Sequence, residues 1–405
     1  MTYRQIALGA ATALLLSACG GAADTEAASA AAPLAASASA SSASEATAVS
    51  PGTSPAVSPP VSGAVSGGKE RTYYVAADPV TWDYAPAGRN EITGEPFDDD
   101  AGVFVKAGAD RIGSKYAKCL YRGYTDASFG SPAQRPESEN YLGMLGPVLR
   151  AEVGDKITVV FKNNCSIDTS IHTHGVKYDK AGEGAEYNDG TSGADKADGE
   201  VEPGQTYTYH WEVPERAGPG PMDGSSAVWM YHSHHEEVAD VYAGLTGFLV
   251  VSAKGKAKAD GSPSDVDREV FSLFEVDDEN ASPLLDVNLK ALAKEPETDS
   301  DEFVESNLMH GINGYVYGNG PVVTMKRGER VRWYVMGMGT EVDLHTPHWH
   351  GNTATVNGMR TDVVNLLPAS MLTADMTPDA PGTWLFHCHV GDHIAAGMQA
   401  RYRVE

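Results

Sequence analysis

RAEVGDKITVVFKNN at residues 150–164 and TMKRGERVRWYVMGM at residues 324–338 share one pattern, in which Gly and an acidic residue come just before a β-branched and aromatic run. Such short runs alternate with Gly, Pro and Asp clusters, which predicts antiparallel strands of a sandwich or barrel. Further runs of this kind lie at 72–76, 206–213 and 247–251. We therefore expect an all-β chain, with one short helical stretch near 286–294.

The repeat extends beyond these two stretches. VPERAGPG leads to WMYHSHH at residues 213–235, and TPDAPGTW leads to LFHCHV at residues 377–390. Gly154 and Gly328 lie eighteen and seventeen residues before His172 and His345. Each repeat therefore has one His-x-His motif near its middle and another close to its end.

The composition fits two domains and excludes some functions. The chain has 405 residues, a net charge of −25 and 41% hydrophobic residues. So acidic a chain is unsuited to binding nucleic-acid backbones, which requires basic surface, but it can attract cations. The polar stretch AKGKAKADGSPSD (253–265) separates the repeats, which predicts domains of 69–253 and 266–405.

The first 68 residues differ from the rest. Residues 1–18 combine one base, a short apolar run and small residues before Cys19, which is the layout of an export signal. The ending LSAC resembles the lipobox of bacterial lipoproteins, in which the cysteine is acylated; an ordinary secretory signal is the alternative. Residues 20–68 are almost all small or polar, which predicts a disordered tether with a reach of roughly 40 Å. We expect an exported lipoprotein, periplasmic or at the cell surface, anchored to a membrane through Cys19.

Ten of the thirteen histidines fall in four short motifs. These are His172-Thr-His174, His232-Ser-His234, His345-Thr-Pro-His348-Trp-His350 and His387-Cys388-His389-Val-Gly-Asp-His393. One such motif alone is compatible with zinc or nickel. Four motifs in register with a repeat, supplying eight imidazoles as His-x-His pairs, favour a group of copper ions.

Cys388 belongs to a different kind of site. Residues two apart on a strand share a face, so Cys388 is predicted to point away from its neighbours His387 and His389. Two imidazoles, one thiolate and a weak thioether form the mononuclear blue-copper donor set. The candidates for that set are His345, Cys388, His393 and Met398.

In these motifs the sequence closely resembles the multicopper oxidases. The sequence around the motifs is similar to the ceruloplasmin and hephaestin branch, in the stretches YHSHHEEVADVYAGLTG, ESNLMHGINGYVYGN, DLHTPHWHGN and LFHCHVGDHIAAGM. The resemblance extends from about Tyr73 to the end. It implies two cupredoxin-like Greek-key domains, four copper ions per chain and O2 as electron acceptor. By matching position, it implies type 1 copper at His345, Cys388, His393 and Met398, type 2 copper at His172 and His348, and type 3 copper at His174, His232, His234, His350, His387 and His389.

The resemblance also has consequences for assembly. The first repeat has Ser233, Val238 and Ala243 at the positions of the type 1 ligands Cys388, His393 and Met398, so only the second domain is expected to hold type 1 copper. In the family the trinuclear cluster lies between two domains, each of which gives two His-x-His motifs. A chain with two domains therefore implies a homotrimer with the cluster between subunits.

The reductant is less closely defined. In the ceruloplasmin branch Fe(II) is held by acidic and histidine side chains, and the matching positions are Glu305, His310 and Asp392. Such donors suit Fe(II), although Glu305 alone could be a solvated acid and Asp392 could orient His393. A laccase oxidising phenols or aromatic amines, and a Cu(I) oxidase, are the alternatives within this class. A copper carrier without oxidase activity, or a nitrite reductase with type 1 ligands in the first repeat, is the alternative outside it.

The cysteines resolve by subtraction once the resemblance is applied. With Cys19 acylated and Cys388 on copper, Cys119 and Cys165 remain as a disulfide of an exported protein or as two separate buried thiols.

An acidic loop, YNDGTSGADKADGE (187–200), is either a solvated loop or a calcium site. Its candidate ligands are Asp195, Asp198 and Glu200. Two histidines, His210 and His235, fall outside both the copper motifs and the iron candidates.

Overall fold

The computed structural model describes residues 68–405, which are rich in strands. The strands are β1 Glu70–Asp83, β2 Lys115–Tyr124, β3 Leu149–Glu152, β4 Lys156–Asn163, β5 His172–Thr173, β6 Thr206–Glu212, β7 Ser226–His232, β8 Thr246–Ser252, β9 Arg268–Asp278, β10 Leu308–Ile312, β11 Val323–Met325, β12 Val331–Gly337, β13 Pro347–Trp349, β14 Ala354–Val356, β15 Met359–Thr361, β16 Ser370–Met376, β17 Gly382–Cys388 and β18 Gln399–Val404. The α-helices are α1 Asp99–Val105, α2 Glu237–Tyr242, α3 Leu285–Leu289, α4 Asp301–Ser306 and α5 Gly391–Ala395. The export signal, Cys19 and the tether as far as residue 67 lie outside the described residues.

The two halves of this region contain the same pair of sheets. The first half has strand orders β2-β1-β4-β6 and β3-β8-β7-β5. The second half has β10-β9-β12-β16-β14-β15 and β11-β18-β17-β13. Strand β4 pairs in parallel with β1, and its counterpart β12 pairs in parallel with β9. The all-β prediction is confirmed, and the repeat in the sequence is a repeat of strand topology.

Strand β4 follows the alternation that predicted it, whereas β8 and β12 are buried along their whole length. In β4 the side chains of Ile157, Val159 and Phe161 are buried, while the residues between them are partly exposed. The expected helical stretch near 286–294 is present as the shorter α3. The other four helices were not predicted, because elements of five to seven residues are too short to show a helical period. No helix within residues 68–405 is long and apolar enough to cross a membrane.

Aromatic side chains of both halves pack into a shared core. The ring of Phe248 in the first half lies 5.2 Å from that of Phe271, which stacks on Tyr334 at 5.0 Å. The hydroxyl of Tyr334 is hydrogen-bonded to Ser226 of the first half at 2.7 Å. Burying each such ring stabilises the fold by about 1.5–3 kcal/mol, so the two sandwiches are packed firmly against each other.

A buried lysine also joins the halves. Nζ of Lys118 on β2 donates at 2.8 Å to Glu279, which directly follows β9, and at 3.3 Å to Asp277, which lies on β9. It also donates to the Tyr84 hydroxyl and to the Tyr242 carbonyl. Burial raises the pKa of Asp277 to about 6 and that of Glu279 to about 7, and the Lys118 ammonium limits both increases. The ammonium therefore offsets a charge that would otherwise be buried without a partner.

Cys119 and Cys165 form a disulfide, which resolves the alternative left open by the sequence. The bond joins β2 to the loop after β4. Cys388 is the free cysteine of the described residues, and it is buried.

Candidate metal centres

Cys388 ends β17, and its sulfur faces two imidazoles. Sγ lies 3.9 Å from Nδ1 of His345 and 3.7 Å from Nδ1 of His393, and the two nitrogens are 3.1 Å apart. All three side chains are buried. Metal–nitrogen bonds of about 2.0 Å and metal–sulfur bonds of about 2.3 Å separate the donors of one ion by distances of this size, so the set fits a single metal ion. Met398 is buried as well, and its carbonyl accepts from the N–H of Cys388 at 3.2 Å.

The surroundings of this sulfur favour a thiolate. The backbone N–H groups of Thr346 and Val390 donate to Sγ at 3.4 and 3.5 Å. Burial raises the pKa of Cys388, but the two imidazoles and these N–H groups outweigh burial and lower it to about 6. The thiolate is the form of cysteine that ligates metals.

Asp343 orients His345 and was not predicted from the sequence. Its Oδ1 lies 3.1 Å from Nε2 of His345, and the backbone N–H groups of Val276 and Thr340 hold the carboxylate from the other side. Because Nε2 is held by Asp343, Nδ1 is the nitrogen left to face the sulfur. An acid two residues before a candidate ligand was the available signal.

His172, His174 and His232 form the first imidazole set, with one ring nitrogen of each within 4.8 Å of the others. The pairing of β5 with β7 places His172 directly opposite His232. The Nε2 atoms of His174 and His232 are 3.2 Å apart. Nδ1 of His172 is hydrogen-bonded to the carbonyl of Glu183 at 2.6 Å, which leaves its Nε2 free to coordinate. His234 completes the predicted group, its ring centroid 5.1 Å from that of His172.

The second set repeats this geometry with His348, His350 and His387. The pairing of β13 with β17 places His348 opposite His387. The Nε2 atoms of His350 and His387 are 3.0 Å apart, and Nδ1 of His348 is hydrogen-bonded to the carbonyl of Asp362 at 2.9 Å. The His389 ring lies 5.6 Å from that of His348. The repeat therefore gives the same chemistry twice.

A glycine supports each set at the same place. Gly175 follows His174 and Gly351 follows His350, and both have positive φ angles, 78° and 72°. A Cβ on Gly175 would lie 2.2 Å from the Trp229 ring, and one on Gly351 would lie 2.5 Å from the Trp384 ring. Only glycine combines this backbone conformation with such close contact to a ring.

Four histidines of these sets are in the form that binds metal. Burial, with smaller contributions from neighbouring imidazoles, lowers the pKa of His174 to about 4 and that of His232 to about 3. The pKa values of His350 and His387 are lowered for the same reason. Neutral imidazoles coordinate metals, so the rings are ready to bind near pH 7.

The two sets remain separate in one chain. Within residues 68–405 no ring of the first set packs against a ring of the second. His172, His174, His348 and His350 are partly exposed, and His389 is exposed. Each set is thus open on one side.

The first repeat lacks the sulfur-containing set. Ser233 occupies the position of Cys388, and its hydroxyl donates to the Asp240 carboxylate at 2.6 Å. Val238 is exposed and Ala243 is buried, and neither side chain offers a donor atom.

The three iron candidates are only partly brought together. The His310 ring lies 5.3 Å from that of His393, and burial, followed by the charge of His393, lowers the pKa of His310 to about 4. Asp392 is exposed on α5 next to His393, and Glu305 is exposed on α4. In the described part of the chain these three do not form a donor set within 4.8 Å.

The calcium candidates do not form one set either. Asp198 is buried; its Oδ2 accepts from the N–H of Gly184 at 2.6 Å, and its Oδ1 is buried without a hydrogen-bond partner. Asp195 is exposed. Glu200 groups with other residues, Asp168 and His235.

Two family models, both described as multicopper oxidase, match residues 142–256 and 287–405, which together make up more than half of the chain. This chain belongs to the multicopper oxidases. As a multicopper oxidase it belongs to a family of copper-dependent oxidoreductases, and the two matched segments contain both imidazole sets and the Cys388 set.

Its relatives among curated proteins are several times longer. Human ferroxidase HEPHL1 is 44% identical over 341 residues, which are 83% of this chain and 29% of that protein. Human hephaestin is 43% identical over 345 residues, covering 84% and 30% of the two chains. Human ceruloplasmin is 41% identical over 343 residues, covering 83% and 31%. This multicopper oxidase therefore spans less than a third of the length of these relatives.

Solved structures agree on the fold. A crystal structure of a multicopper oxidase superposes with a TM-score of 0.51 at 18% identity, covering 83% of this chain and 88% of that one. The multicopper oxidase mgLAC gives a TM-score of 0.53 at 18% identity, covering 83% and 86%. The cupredoxin-like fold class predicted from the sequence is confirmed.

Proposed function

We propose that this multicopper oxidase is a ferroxidase, which oxidises four Fe(II) to Fe(III) while one O2 and four protons become two water molecules. The observation that carries the proposal is the position of Cys388. Its side chain belongs to the sulfur-containing set next to His310, and its chain neighbours His387 and His389 belong to an imidazole set. The 44% identity to a human ferroxidase supports iron as the reductant.

We assign the copper ligands by position in the family. Type 1 copper is held by His345, Cys388, His393 and Met398, type 2 by His172 and His348, and type 3 by His174, His232, His234, His350, His387 and His389, giving four ions per chain. When bound, copper supplies the one-electron redox chemistry that links a metal reductant to O2.

The chain itself provides the connection between the two kinds of site. Sγ of Cys388 lies in one set, and the carbonyl of Cys388 is hydrogen-bonded to Nδ1 of His387 in the other, at 2.6 Å. Covalent bonds and this short hydrogen bond therefore link the sulfur to the imidazole set without a diffusible carrier. Asp343 keeps His345 in the orientation that the sulfur-containing set needs.

We place Fe(II) near Glu305, His310 and Asp392. The imidazole of His310 is next to the ring of His393, and Asp392 precedes His393 in the chain. Carboxylate and imidazole donors suit Fe(II) and favour the Fe(III) product still more. The net charge of −25 raises the local concentration of cations.

A Glu305→Ala substitution separates iron oxidation from other activities. We expect kcat/KM for Fe(II) to fall at least about 10-fold, because one of the proposed iron ligands is lost. Oxidation of a phenol by the same copper-loaded sample should be unchanged, since a phenol does not need this carboxylate. The measurement is steady-state O2 uptake with Fe(II), a phenol and Cu(I) as reductants.

Glu302→Ala is the matched control, because Glu302 is an exposed acid on the same helix, α4. It should leave all three activities unchanged. Equal loss of iron and phenol oxidation in Glu305→Ala would contradict the iron site. Greater activity of the unmodified protein on the phenol than on Fe(II) would favour a laccase.

We also propose that the protein is a homotrimer in which the first imidazole set of one subunit meets the second set of a neighbour. Both sets are open on one side, as the trinuclear cluster of the family requires. Exposed apolar side chains lie near the ligands His345 and His348 in sequence or across β-bridges: Val342, Leu344, Val363 and Leu367. Val238 is exposed on α2, close in sequence to the first set. Apolar surface of this kind marks an interaction site.

Light scattering tests the assembly. We expect a mass of three chains for the unmodified protein. Leu344→Glu introduces a charge at the apolar surface, and this variant should lose oxidase activity. Val287→Glu is the control, because Val287 is similarly exposed (48% against 52%) but lies on α3, away from both sets. A fully active monomer would contradict the proposal.

We propose further that 69–253 and 266–405 are two cupredoxin domains and that the chain is exported and held at a membrane by acylated Cys19. The LSAC ending of the signal supports the anchor.

Calcium is a further candidate cofactor at Asp195 and Asp198, supported by the buried, unpartnered Oδ1 of Asp198.

A further inference from the structure

A fourth group of metal-binding side chains lies outside the copper sets. Donor atoms of Asp168, Glu200 and His235 lie within 4.8 Å of one another. Within residues 68–405, neither carboxylate has a basic partner or a hydrogen bond. Two carboxylates beside an imidazole are donors that one divalent cation can share.

His235 gives an independent indication of a ligand. Its Nδ1 is shielded from solvent and has no hydrogen-bond partner within the described residues. A buried polar atom without a partner has lost its hydrogen bonds to water, which costs free energy. Native proteins avoid this cost, so such an atom indicates a bound ion or water.

Backbone hydrogen bonds bring together the two segments that contain these acids. Thr169 pairs with Val201 as an antiparallel bridge, in which the N–H of Val201 donates to the Thr169 carbonyl at 2.8 Å. Asp168 and Glu200 are the residues just before these two in the chain. The bridge therefore keeps the two segments side by side, and although its antiparallel register puts the two acids on opposite sides of the paired residues, their donor atoms lie within 4.8 Å.

Hydrogen bonds of Ser170 bring His235 close to Asp168 and Glu200. Its N–H donates to the Ser233 hydroxyl at 3.0 Å, and its own hydroxyl accepts from the N–H of His234 at 2.9 Å. These bonds fasten the loop that contains Asp168 to the turn that contains His235. The three donors are thus held in place by a hydrogen-bonded frame.

We propose that Asp168, Glu200 and His235 bind one divalent first-row transition ion, of the Zn(II) or Fe(II) kind, in addition to the copper ions. Two carboxylates without a nitrogen donor would suit Ca(II) or Mg(II), but the imidazole shifts the preference to a transition ion. Glu200 is exposed, which leaves coordination positions for water. Because His235 directly follows His234, the ion stiffens the turn that positions one imidazole of the first copper set.

Zn(II) is a suitable probe because it is redox-inactive. Isothermal titration of the copper-loaded, full-length protein, with calcium present in excess, should show one Zn(II) site per chain. Asp168→Asn and His235→Gln should each weaken that site at least about 10-fold, because each removes one of three ligands. Copper content should remain that of the unmodified protein, which shows that the fold is intact.

Glu202→Gln and His210→Gln are matched controls, since both residues are exposed, on or beside β6, and outside the group. They should bind Zn(II) like the unmodified protein. If Asp168→Asn loses copper, Glu200→Gln replaces it, because an exposed side chain can change without disturbing the core. Absence of a Zn(II) site in the unmodified protein, or unchanged affinity in the site variants, would overturn the proposal. The outcome is independent of whether iron is the reductant.

Discussion

Replacement of Cys388 by serine should abolish oxidation of every reductant, by about 1,000-fold or more, the scale expected when one member of an interdependent catalytic unit is removed. The sulfur belongs to the donor set with His345 and His393, and the same residue links that set to His387. A serine hydroxyl keeps the size of the side chain but is a poor ligand for copper, since soft copper sites need the thiolate.

Copper analysis shows whether this loss is specific. We expect the copper content to fall by one ion per chain, with the ions of the imidazole sets retained, and the blue absorption of the sample to disappear. Disulfide Cys119–Cys165 should remain, because it lies in the other half of the molecule. A Cys388→Ser protein that still oxidises Fe(II) would refute the assignment of the type 1 ligand.

Lys118→Met should lower the free energy of unfolding by about 3–5 kcal/mol, the usual cost of removing one partner from a buried ion pair. The variant keeps the length of the side chain but leaves Asp277 and Glu279 buried without their cation. Glu275 is also buried nearby, and burial together with the charges of Asp277 and Asp343 raises its pKa well above the usual range. Urea denaturation followed by fluorescence measures the change.

The loss should grow with pH. Removing the ammonium raises the folded-state pKa of both carboxyls further above their unfolded values, so the folded variant binds more protons than the unfolded chain. Its stability therefore falls as pH rises through these values, and the difference from the unmodified protein is larger at about pH 8 than at about pH 5.

Lys115→Met is the control for this prediction. Lys115 lies on the same strand, β2, but its side chain is 67% exposed and its ion pair with Asp83 spans 3.5 Å. An exposed pair contributes at most about 1 kcal/mol, so little change is expected. Equal destabilisation by both variants would show that Lys118 does not offset buried charge.

The sequence was sufficient to predict the strands and the four histidine motifs. The alternation in β4 comes from one buried face, and that pattern is visible in the amino acids alone. Strand β12 is buried along its whole length, and its β-branched and aromatic residues indicated a strand instead. The donor chemistry of Cys388 is equally local, because neighbouring residues of a strand point to opposite faces. The short helices were not predictable in this way, because elements of five to seven residues are too short to show a helical period.

What the sequence by itself determined was the all-β fold, its internal repeat and the candidate copper ligands, since these follow from periodicity and from residue types at fixed spacing. Only the tertiary structure decided that Asp343 orients His345, that Lys118 meets Asp277 and Glu279 across the two halves, and that His235 meets Asp168 and Glu200. Each of these contacts depends on packing: the last two join distant segments, and the N–H group of Val276 on β9 holds the Asp343 carboxylate beside His345. The spacing of residues along the chain does not predict such contacts, because burial and charge interactions depend on which side chains are close in the folded protein.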